Sequence, residues 1–71
     1  AGERERTARA LIAALPERQR AAIVLTYYEE LSNAAAAQAL DMNIKAFESL
    51  LLRARAGLRR ALTDSGAGED L

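Results

Sequence analysis

Residues 32–62 read SNAAAAQALDMNIKAFESLLLRARAGLRRAL, and the breaks in this stretch decide the fold. Ser32 is a good helix N-cap, because its hydroxyl accepts a backbone N–H that the first helical turn leaves orphaned. Behind it, Asn33 to Leu40 is a short run of almost pure alanine, the strongest helix former. Asp41-Met42-Asn43 then interrupts. Asp and Asn tolerate left-handed backbone and cap helices, so a tight turn is expected there. A longer helix follows from Ile44 to about Leu62. At about 100° per residue, Ile44, Phe47, Leu51, Ala54, Leu58 and Leu62 fall on one side. Lys45, Glu48, Ser49, Leu52, Arg53, Ala56, Arg59 and Arg60 fall on the other, and Leu50 borders the apolar side. A short helix, a tight turn and a longer helix make a helix-turn-helix.

Upstream, a first helix is expected from Thr7, a cap candidate, with Ala8, Leu11, Ile12 and Leu15 at helical spacing. Pro16 ends it, because the residue before a proline avoids the α region. Pro16 also suits the first position of a second helix, running to about Glu29, where its missing N–H costs nothing. In that helix Ala21, Val24, Leu25 and Tyr28, continued by Leu31, form the expected apolar stripe. Tyr27 and Tyr28 are expected to pack in the core or at its rim. The domain is therefore read as all-α, a four-helix helix-turn-helix without a wing. Residues 1–6 form a flexible start, 7–63 the domain with its helix-turn-helix at about 32–62, and 64–71 a disordered acidic tail.

Composition agrees and excludes much. The 71 residues include seventeen Ala and eleven Leu but only Tyr27, Tyr28 and Phe47 as aromatics. Cys and His are both absent, so no disulfide, thiolate nucleophile, imidazole base or thiolate/imidazole metal site can be built. No pair of the remaining polar groups has a spacing suited to acid–base or nucleophilic work, and neither enzyme activity nor a cofactor is expected. No apolar run reaches the roughly 18–20 residues of a membrane span, and no signal peptide is visible. A cytoplasmic protein is the expectation. The chain starts at Ala1, as a piece or a processed form of a longer protein would.

The formal charge is zero, but residues 32–63 set Lys45, Arg53, Arg55, Arg59 and Arg60 against only Asp41 and Glu48. A major groove admits one α-helix, and Arg or Lys on its exposed face can neutralise phosphates or reach a guanine. Ser49 is short enough for close approach, and Glu48 can accept from a cytosine amino group. Leu52 suits a thymine methyl or a protein partner. Against this stands the ordinary fact that one-sided charge usually marks a solvated helix, and a lone exposed leucine is common.

Particular residues sharpen the choice. LPERQR at 15–20, VLTYYE at 24–29, LSNA at 31–34 and IKAFESLLLRAR at 44–55 resemble region 4 of the extracytoplasmic-function bacterial sigma factors. The resemblance covers about Ala10 to Leu62 and implies a concrete role. The last helix would bind the −35 promoter element, the earlier helices the β flap of RNA polymerase, and an anti-sigma factor would cover these surfaces. A preceding domain would read the −10 element. By position, Lys45, Glu48, Ser49, Leu52 and Arg53 would face bases, while Asn33 and Arg55 would touch phosphates. The domain would act as a monomer within the polymerase, in transcription initiation.

This sequence departs from the commonest family pattern. Glu30 stands where a helix-ending Gly is usual, Ala35-Ala36 replace Glu-Ile, and Glu48 and Leu50 stand where basic residues are frequent. Those last two changes, with Leu52, motivate an alternative: a sigma-like decoy that binds an anti-sigma factor and has no DNA function. A LuxR-like response-regulator output domain is a further alternative, which the Pro16 opening and the Arg-rich ending fit less well.

Overall fold

The computed structural model describes the backbone of residues 2–64 and the side chains of residues 6–64. Four helices follow one another: α1 (Gly2–Ala13), α2 (Glu17–Ile23, continued by a π-helical turn over Val24–Tyr28), α3 (Asn33–Ala39) and α4 (Ile44–Asp64). No strand occurs among the described residues, and the domain is the expected all-α helix-turn-helix.

The helix ends are set by local chemistry. Pro16, at φ −52° and ψ 147°, is the N-cap of α2 and not its first helical residue, and its carbonyl accepts the Arg20 N–H at 2.9 Å. Arg20 Nη1 donates in turn to the Ala13 carbonyl at 3.1 Å, satisfying an acceptor at the end of α1. Ser32 caps α3 as read, with Oγ accepting from Ala35 N at 3.1 Å.

The outer bounds of the first and last helices also need correction. Helix α1 begins at Gly2, so residues 2–6 are helical and Thr7 lies inside the helix, where it cannot cap. Helix α4 runs through Asp64, which was expected in the tail, and the rest of that expected tail, 65–71, lies outside the described residues.

The core gathers Ile12, Leu15, Ala22, Ile23, Ala36, Ala37, Phe47, Leu50, Leu51 and Ala54. Phe47 is fully enclosed, and burying a side chain of that size contributes about 1.5–3 kcal/mol. Ala36 and Ala37 are small enough for α3 to lie close against its neighbours. The buried arc of α2 differs from the expected stripe. Ala22 and Ile23 are its enclosed residues, Val24, Leu25 and Leu31 pack only partly, and Tyr28 is 57% exposed. Helix α2 meets both α1 and α4, so more than one face is covered. The stripe also breaks at Val24, where Glu29 N–H bonds the carbonyl five residues back at 3.0 Å, which widens the turn and rotates the residues after it.

Candidate nucleic-acid interface

The turn between α3 and α4 is built as its residues demand. Asp41 takes φ 60°, its N–H bonds Gln38 O at 3.0 Å, and Met42 N–H bonds Ala37 O at 2.8 Å. This is the Schellman closure of a helix, with Asp where Gly is commonest. Asn43 then restarts the chain: its Oδ1 accepts from Ala46 N at 2.8 Å and its carbonyl from Phe47 N at 3.0 Å. The first turn of α4 is thereby fixed against α3.

Burial inside α4 selects its outer face. With Phe47, Leu50, Leu51 and Ala54 packed inward, Lys45, Glu48, Ser49, Leu52 and Arg53 all stand exposed. Arg59 and Arg60 extend that face toward the C-terminal end. Leu52 is 67% exposed, the most open of the large apolar side chains among the described residues. The side chains of Lys45, Arg53, Arg59 and Arg60 make no hydrogen bond or ion pair among the described residues, so their charge is open to an incoming anion. A shallow concavity beside this face is bounded by Ala34 and Gln38 of α3 and by Asn43, Ile44 and Lys45.

Leu50 is only 6% exposed. Its apolar side chain belongs to the core, so an arginine missing at that position removes nothing from the outer face. Asn33 is exposed at the first residue of α3, apart from the α4 face but next to the Ser32 cap. Arg55 is exposed as well, yet it is engaged: its Nε donates to the Tyr27 hydroxyl at 2.6 Å. Its guanidinium carbon lies 5.6 Å from the Tyr27 ring centre, near the outer limit of a cation–π contact. Tyr27 was not among the residues the sequence singled out for this face. The two are 28 positions apart, and no local pattern pairs them.

The family model described as Sigma-70, region 4 matches residues 5–58. The chain belongs to the sigma-70 region 4 family. No curated protein and no solved structure matches it. A sigma-70 region 4 domain is a DNA-binding regulatory module that works with RNA polymerase and is not catalytic, and the open cationic face of α4 is in keeping with that role. No helix among the described residues is long and apolar enough to cross a membrane.

Proposed function

We propose that this sigma-70 region 4 domain reads the −35 element of promoters through α4, as part of an extracytoplasmic-function sigma factor. The observation that carries the reading is the single open face of α4: Lys45, Ser49, Leu52 and Arg53 stand together, with Arg59 and Arg60 beyond them. Lys45, Glu48, Ser49, Leu52 and Arg53 would lie toward base edges, with Arg55 and Asn33 on the flanking phosphates. Glu48 lowers the positive charge of the face and suits a cytosine amino group. The domain is a monomer in this reading, works in the cytoplasm, engages the polymerase β flap with its earlier helices, and is held in check by an anti-sigma factor.

Few phosphate contacts give weak, strongly salt-dependent binding by the isolated chain. Tethering to polymerase raises the effective concentration, so a weak module suffices. The decoy reading keeps two motives, the acidic Glu48 and the exposed Leu52, and loses the third, since Leu50 is a core residue. The match to sigma-70 region 4 over residues 5–58 favours the sigma reading over a LuxR-like output domain.

The test is an NMR titration of the labelled chain at low salt with a −35-type duplex and with a scrambled one. Selective shifts at Lys45, Ser49, Leu52 and Arg53 with the first duplex alone support promoter reading. Equal shifts with both duplexes, or none on that face, turn the assignment toward the anti-sigma-binding decoy.

A further inference from the structure

We propose that Tyr27 is a positioning residue for DNA binding: it accepts from Arg55 Nε and so aims the Arg55 guanidinium at a backbone phosphate. The inference rests on the reading that α4 docks on DNA, but it needs no particular promoter sequence.

Arg55 follows the buried Leu51 by one helical turn and the exposed Leu52 by three residues, so it sits on the seam between the covered and open faces of α4. When a helix lies in a major groove, the centre of its outer face meets base edges and its flanks meet the phosphate walls. Arg55 stands on such a flank. An arginine side chain free in solvent has many rotamers, and ordering it on contact costs entropy. Here part of that cost is met before DNA arrives. The 2.6 Å bond to the Tyr27 hydroxyl uses Nε, and the terminal nitrogens Nη1 and Nη2 make no hydrogen bond among the described residues. Those two nitrogens form the planar fork that matches two phosphate oxygens.

The π turn supplies the tyrosine. Tyr27 lies in the π turn Val24–Tyr28, four residues after the buried Ile23, and its hydroxyl meets α4 28 positions further along the chain. Tyr27 stays 51% exposed, so its hydroxyl is a surface partner for Arg55 and not a buried core group.

The experiment measures affinity of the 71-residue chain for a random-sequence duplex by fluorescence anisotropy across a salt series. Four proteins are compared: the parent, Tyr27→Phe, Arg55→Ala and the double variant, each checked for parent-like helicity by circular dichroism. Arg55→Ala is expected to reduce the salt slope by about one phosphate contact. Tyr27→Phe is expected to weaken binding about two- to tenfold in the Arg55 background and to change nothing in the Arg55→Ala background. An equal loss in both backgrounds would make Tyr27 merely structural. Tighter binding by Tyr27→Phe would mean that the tyrosine sequesters Arg55, and an unchanged slope for Arg55→Ala would remove the phosphate contact; either result overturns the proposal. Absence of DNA binding by the parent defeats it together with the reading of α4 as a DNA helix. Coupling on random DNA without any −35 preference leaves the inference standing while the promoter assignment fails.

Discussion

The side-chain oxygen of Asn43 accepts the backbone N–H of Ala46 at 2.8 Å, and this bond sets where the last helix begins. Replacing an N-cap Asn by Ala leaves an orphan N–H and costs about 0.5–2 kcal/mol. Asn43→Ala is expected to lower stability by about 1 kcal/mol in urea unfolding, and Asn43→Ser to restore most of it. Equal stability of the Ala and Asn chains would show that the cap contributes nothing.

Glu30 sits at φ 55°, and Leu31 N–H reaches back to the Leu25 carbonyl at 3.0 Å. A non-glycine residue in left-handed backbone costs about 1–2 kcal/mol, of which glycine's extra unfolded-state entropy takes back about half. Glu30→Gly is therefore expected to stabilise the domain by about 0.5–1 kcal/mol. A thermal midpoint that falls on this substitution would contradict the strain argument.

Gly57 lies inside α4, where a Cβ would stand 3.4 Å from Leu15 Cδ2 and from Gln19 Oε1, within ordinary contact. Space is available and the helix gains an alanine, so Gly57→Ala should stabilise by about 0.5–1 kcal/mol. Loss of stability would mean that Leu15 cannot give way by even a small shift.

Ser49, Leu52 and Arg53 are exposed on α4, so their alanine variants should unfold within about 0.5 kcal/mol of the parent. On the proposed −35 duplex, Ser49→Ala and Arg53→Ala should each lose about 1–3 kcal/mol of discrimination. For Leu52 the discriminating probe is uracil in place of thymine, which deletes only the methyl group. A loss of about fourfold is expected for the parent and none for Leu52→Ala. Promoter preference unchanged in all three variants would take these residues out of the interface.

Much of the fold was legible in the sequence, because it depends on bonds spanning only a few residues. Ser32 and Asn43 mark helix ends through their side chains, Pro16 through its ring and Asp41 through its left-handed backbone, and each marks one in the structure. The apolar spacing of α4 also gave its outer face, since Phe47, Leu51 and Ala54 are buried on one side of the helix, while Ile44, expected with them, stands exposed at the helix start. Thr7 misled, because a cap candidate has meaning only where a helix starts, and α1 starts at Gly2.

Sequence alone determined the order of the four helices, the turn between α3 and α4, and which side of α4 faces outward. Each follows from local hydrogen bonding or from a period repeated along one helix. Tertiary structure decided that Ala22 and Ile23 form the enclosed arc of α2, and that Leu50 is core. It also decided the π turn and the pairing of Tyr27 with Arg55. Burial depends on which helices surround a residue, and a bond between side chains 28 positions apart depends on how two helices are packed. Neither quantity is carried by spacing within a single helix.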